Sequence, residues 1–205
     1  DQRNLAVRGL RPDPVQLATM ACLWRDAGRT FRGVETDLTT KFGSVKTVSW
    51  SSLSLTYPVD GWEVWAVGVD RTEAHRDEQV LELLAEVNSR LLQREGIEAI
   101  HPFICRRVAG IFHLALVSIG QRQPDGRVRM SGIAGPNAAG ASAHEIRWDV
   151  PSPEGGITGA AIRTGAVQRA EAEADASFGS AWRNRAAGRE IGASLALPLS
   201  ARGVV

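Results

Sequence analysis

The sequence predicts an α+β fold, with two antiparallel-sheet domains joined by one long α-helix. Three observations carry this. Residues 31–71 are rich in Val, Thr, Ser and Trp and are divided by turn residues. Residues 72–94 contain neither Pro nor Gly, and Leu, Glu and Arg dominate them. From Phe112 onward strand-like runs return, with a Pro124-Asp125-Gly126 turn and two helical segments each followed by Gly.

Taken in order, residues 15–28 carry Val15, Leu17, Ala18, Cys22 and Trp24 and end at Gly28. That spacing fits a short amphipathic helix closed by glycine. Strands are expected at 31–41, 45–57 and 61–70, from their β-branched and aromatic residues. Phe42-Gly43-Ser44 and Tyr57-Pro58-Val59-Asp60-Gly61 supply the turns between them. Trp50 and Leu53 break strict alternation, which predicts a bulge or a phase change. In the third strand Trp62, Val64, Trp65, Val67 and Val69 are apolar on both faces, so it is expected to be covered on both sides.

At Thr72 the period switches to that of a helix. Thr72 is an N-cap residue type, and Glu73 favours the positive end of the helix dipole. Val80, Leu84, Val87 and Leu91 are spaced as a heptad seam. Leu81, Leu83 and Leu92 widen the apolar stripe, and a core-facing helix fits equally well. Gly96 is expected to end this helix, which would span about 30 Å. A second helix is expected at 97–110 through Ile97, Ile100, Ile104 and Val108, with Pro102 setting a break or a first-turn position. Further on come an apolar strand over Phe112–Ile119, a hairpin at Pro124-Asp125-Gly126 and a partner strand at 127–134. A loop follows at 135–144, then a strand near His144–Val150, helices near 157–164 and 177–187, and a last strand at 191–200.

Two family resemblances cover most of the chain. Residues 31–76 resemble the C-terminal half of a PAS domain. The residues that carry this are Lys41-Phe42-Gly43-Ser44-Val45, Val48-Ser49-Trp50-Ser51 and Val67-Gly68-Val69-Asp70-Arg71-Thr72-Glu73. Residues 97–205 resemble a GAF domain through Ile104-Cys105-Arg106, Phe112-His113-Leu114-Ala115, Asp125-Gly126-Arg127-Val128, Gly156-Ile157-Thr158-Gly159, Ala161-Ile162-Arg163, Phe178, Trp182-Arg183 and Leu197-Pro198-Leu199. The chain departs from the PAS pattern at Phe42, and from the GAF pattern at Ile157 and over 168–174.

The resemblance implies a PAS-like portion over 1–72, a helical linker over 73–95 and an incomplete GAF-like domain over 96–205. It implies a sensory and regulatory region of a bacterial signalling protein, with its output outside these residues. That output would be cyclic di-GMP turnover or histidine kinase activity. Asp70, Thr72 and Glu73 would couple the PAS-like core to the linker. Val80, Leu84, Val87 and Leu91 would form the seam of a homodimer. Trp148, Phe178 and Trp182 would line a small-molecule pocket, or equally fill a core. The alternatives are a ligand-free dimerisation module and a part of the diguanylate cyclase or phosphodiesterase itself. The start at Asp1 and the final Ser200-Ala201-Arg202-Gly203-Val204-Val205 read as a segment of a longer protein.

Composition narrows the rest. A net charge of +1 over 205 residues gives no field that selects nucleic acid or anionic membrane. Two cysteines, Cys22 and Cys105, cannot build a disulfide framework, which fits a reducing cytoplasm. The longest apolar run, Ala109–Gly120, is too short to span a bilayer. His75, His101, His113 and His144 show no metal-ligand spacing, and His113 is expected in a strand. Cys105 precedes two arginines that could lower its pKa, yet it also reads as a small buried hydrophobe. Gly155-Gly156-Ile157-Thr158-Gly159 lacks a P-loop lysine and reads as a tight turn into a helix. Glu171 and Glu173 read as a solvated face, and no catalytic motif or cofactor is indicated.

Overall fold

Polar and apolar residues alternate along the first strands, so one sheet face gathers Leu38, Val48 and Trp50. The computed structural model describes residue 22 and residues 30–40, 43–62, 65–139, 146–150, 155–171 and 191–200. Among them are β1 (Val34–Thr39), β2 (Val45–Ser52), β3 (Ala66–Asp70), α1 (Thr72–Leu92), α2 (Ile97–Phe112), β4 (Val117–Arg122), β5 (Arg127–Ala134), β6 (Ile146–Arg147), α3 (Gly156–Thr164), β7 (Gln168–Glu171) and β8 (Ala193–Ala196). The fold is mixed α and β, with three antiparallel sheets: β1-β2-β3, β4-β5-β6 and β7-β8. The chain divides into two units, residues 1–82 and 83–205. The expected helix at 177–187 lies outside the described residues, as does that at 15–28 apart from Cys22.

In the first unit β2 is central, and Phe31, Leu38, Val48 and Trp50 form the core with Val34 and Ala66 packed against it. Trp50 lies flat across Gly68 of β3, where an added Cβ would come within 2.8 Å of the ring. Its indole N–H donates to Thr36 Oγ1 at 2.9 Å, which fixes the ring on the sheet. The β1–β2 and β2–β3 registers run without a shift, so the expected bulge near Trp50 is absent. Instead β2 stops at Ser52, earlier than expected. Ser54 Oγ accepts the Trp65 N–H at 2.7 Å and donates to the Trp65 carbonyl at 3.1 Å, closing the neck of a turn-rich segment. That segment leaves Leu55, Tyr57, Val59 and Trp62 exposed. The third strand is not covered on both sides. As the edge of a three-stranded sheet, β3 leaves Val67 and Val69 exposed.

In the second unit both long helices end on the same backbone device. Arg94 adopts φ 61°, its N–H reaches the Leu91 carbonyl, and the Glu95 N–H reaches that of Arg90. This 6→1 and 5→2 pairing is a Schellman motif, built on Arg94 and not on the expected Gly96. Gly96 instead precedes α2 as its N-cap. At the end of α2, His113 takes the left-handed position at φ 51° and the Leu114 N–H reaches the Ala109 carbonyl. His113 is therefore an exposed helix terminus and not a strand residue. Phe112 is still helical, and β4 starts only at Val117. The apolar run from Ala109 serves a helix end and then a strand, so hydrophobicity alone could not divide it.

Pro102 lies inside α2. Its missing N–H coincides with the point where β5 comes closest. A Cβ on Gly132 would meet the His101 carbonyl carbon and oxygen at 2.7 Å and Pro102 N at 2.9 Å. The hairpin is as expected: Gly126 adopts φ 84°, with Gly126 N–H to the Gln123 carbonyl and Gln123 N–H to that of Arg127. The β4–β5 register shifts after Ile119, which leaves Ser131 as the extra residue of a bulge. Among the described residues the strand near His144–Val150 is represented by β6, and the last strand runs over Ala193–Ala196. It pairs with β7, an element the Ala- and Glu-rich sequence did not suggest. Ile157 of α3 packs on Ala170 of β7, with Ile191 and Ala196 beside them.

Two glycine substitutions of opposite sign check this packing. Gly132→Ala forces α2 off β5 and should lower stability by about 1–3 kcal/mol. Gly110→Ala lies in α2 with nothing within 4 Å of the new methyl. It should raise stability by about 0.5–1 kcal/mol. Urea midpoints by circular dichroism read both, and equal midpoints would refute the close helix–sheet approach.

Candidate signal-coupling site

The turn from β3 into α1 joins three elements of the first unit. The ladder runs one residue past β3, because the Arg71 N–H donates to the Thr47 carbonyl at 2.8 Å. The chain then turns away, and the next strand donor, the Thr47 N–H, would lose its partner. The Thr72 hydroxyl oxygen accepts it at 3.0 Å. Thr72 is 4% exposed and Thr47 9%, so water does not supply an alternative. The Thr72 hydroxyl in turn donates to Asp70 Oδ1, and the same oxygen accepts the Thr72 N–H at 3.0 Å.

This corrects the role expected for Thr72. The Arg71 carbonyl accepts the His75 N–H at 2.8 Å, so Arg71 holds the cap position and Thr72 is the first helical residue. Asp70, and not Thr72, supplies the oxygen that takes a free N–H of the first turn. Thr72 spends its hydroxyl on the sheet. Glu73 sits in the first turn, exposed and outside this network.

Residues the sequence reading missed complete the site. Lys46 Nζ approaches Asp70 Oδ2 to 3.1 Å, and the Thr47 hydroxyl donates to Asp37 Oδ1 at 2.7 Å. His75 Nδ1 lies 3.7 Å from Glu35 Oε2, which sets the first turn of α1 over β1. Hydrogen bonds from the Thr72 hydroxyl and N–H hold the Asp70 carboxyl down to about 2, with Lys46 adding to the effect against the opposing cost of burial. A Thr between Lys46 and Val48 looks like any strand residue, so no sequence signal marked Thr47.

The four expected seam residues share one face of α1, within about 60° at 100° per residue, but are unequally open. Val80 and Val87 are half-buried, whereas Leu84 and Leu91 are exposed. In the second unit Leu83 is buried, Glu86 pairs with Arg107 of α2 at 3.4 Å, and the Arg90 guanidinium lies 4.0 Å over the Phe103 ring. At 100° per residue, 83, 86 and 90 form the inner face.

Of the expected pocket residues, Phe178 and Trp182 lie outside the described residues. Trp148 is half-buried, with its indole N–H donating to the Gln123 carbonyl at 2.8 Å and the Arg122 guanidinium 4.9 Å over its ring. It braces the end of the β4–β5 hairpin. Gly155 and Gly159 bring α3 against β6, since a Cβ on either would meet the Arg147 carbonyl oxygen within 2.7 Å. Arg163 donates to the Trp148 and Val150 carbonyls. These glycines serve close packing. His101 Nδ1 lies 2.7 Å from Ser131 Oγ, which donates to the Ile119 carbonyl at the bulge. Cys105 is fully buried, and loss of solvent pushes its thiol up, opposite to activation by its arginine neighbours. Among the described residues no cluster of three His, Cys, Asp or Glu could hold a metal ion, and no helix is long and apolar enough to cross a membrane.

No family model matches this chain, and no curated protein matches it.

Thr72→Val keeps the shape of the side chain but strands the buried Thr47 N–H, and should cost about 1–3 kcal/mol. Thr72→Ser keeps the oxygen and should cost well under half of that. Equal losses in a urea titration would show that the hydroxyl is not the link. Asp70 makes a second, pH-dependent contribution. Its folded pKa lies below the unfolded value, so its stabilisation is full above about pH 4 and disappears as pH falls towards 2. Thermal melts of wild type and Asp70→Asn should converge across that window.

Proposed function

We propose that this chain is a sensory and regulatory region of a bacterial signal-transduction protein. A PAS-like portion over 1–72 and a GAF-like portion over 96–205 flank a helical linker over 73–95. A ligand or partner favours one packing of a sensory portion, and the linker passes that population shift to an output outside these residues. The output class is cyclic di-GMP turnover or a histidine kinase, and the region acts as a homodimer through the linker helix in the cytoplasm.

The observation that supports this reading is the joint at Thr72. A helix hydrogen-bonded directly into its sheet must respond when the sheet moves. The resemblance of Val67–Glu73 to the closing segment of a PAS domain falls on these same residues. The ligand-free dimerisation module is the second reading, favoured by the exposed leucines Leu84 and Leu91 on the linker.

The test is a thermal-shift screen of the chain against haem, flavins, nucleotides and small metabolites, followed by hydrogen exchange on α1. A ligand at 100 times its dissociation constant should add about 2.7 kcal/mol. It should also change exchange in the first turns of α1, and Thr72→Val should abolish that change without abolishing binding. A bound ligand that leaves α1 exchange untouched would overturn the coupling mechanism.

A further inference from the structure

Along α1, residues Leu81, Leu84, Asn88 and Leu91 recur at intervals of three, four and three. At 100° per residue they fall in one stripe, opposite Leu83, Glu86 and Arg90. The stripe is open: Leu81 is 65% exposed, Leu84 54%, Leu91 53% and the adjoining Leu92 85%. It lies about 50° around the helix from the seam expected at Val80, Leu84, Val87 and Leu91, and shares its two leucines.

We propose that this stripe is where a second copy of the chain docks, as a parallel and weak helix pair with Asn88 facing the partner's Asn88. The inference rests on the homodimer reading above and assigns its face and register. Two features favour a second copy as occupant. The positions flanking the stripe are Val80, Ala85, Val87 and Leu92, so two identical helices meet without like charges opposed beside the seam. Asn88 carries both a donor and an acceptor, so its amide satisfies its own copy across a twofold axis. A single Asn at such a seam position sets parallel register and a two-stranded state. Asp77 and Glu95 continue the line at its two ends and limit it to about two heptads. A seam of that length buries less than the roughly 1,200 Å² of the smallest stable interfaces, so the pair is transient and concentration-dependent.

Sedimentation velocity on the chain over a concentration series tests this, with disulfide trapping in a Cys22→Ser background. The expected result is a monomer–dimer equilibrium that Leu84→Lys weakens at least tenfold, with an unchanged helical signal in circular dichroism. Asn88→Cys should cross-link on oxidation and Glu86→Cys should not. A chain that stays monomeric at every concentration overturns both this interface and the homodimer reading. A dimer that survives Leu84→Lys and cross-links through Glu86→Cys overturns the face and leaves the homodimer standing.

Discussion

One backbone N–H, that of Thr47, organises the first unit. A sheet that hands its chain to a helix must stop pairing somewhere, and the last strand donor is then buried without a partner. Leaving it so costs about 1–3 kcal/mol. The Thr72 hydroxyl replaces the lost carbonyl, and Asp70 orients that hydroxyl while taking the Thr72 N–H. One carboxylate thus serves the strand end and the helix start together, with Lys46 balancing its charge. Strand end and helix start share these atoms, and neither can shift without breaking a buried hydrogen bond.

The second unit is governed by close backbone approach. Gly132 lets β5 meet α2 at the His101 carbonyl, and Gly155 and Gly159 let α3 meet β6 at the Arg147 carbonyl. Where side chains are removed from a contact, the groups beside it are constrained in turn. The bulge at Ser131 turns its hydroxyl towards the Ile119 carbonyl and His101, one turn from the buried Cys105. His101, Ser131 and Cys105 are here parts of one helix–sheet interface.

Much of the architecture was legible because it rests on short-range rules. The Pro- and Gly-free stretch after Asp70 gives α1, and Pro124-Asp125-Gly126 gives the hairpin. Failures lie where two structures share one composition. The apolar run from Ala109 to Ile119 contains a helix end and a strand start. Both Schellman turns use Arg94 and His113 where glycine is the favoured residue, so no punctuation marked them. The short β7 is stabilised by its pairing with β8, more than twenty residues on, and by Ala170 beneath Ile157 of the preceding helix.

The sequence by itself determined the α+β composition, the long helix and its start, and the hairpin. Each follows from local propensity, periodicity or turn chemistry. Only the tertiary structure decided which face of α1 is covered, that Thr72 bonds the sheet and does not cap the helix, and that Thr47, Lys46 and Asp37 belong to the site. Those outcomes depend on which groups are denied water when distant segments meet, and no local pattern records that.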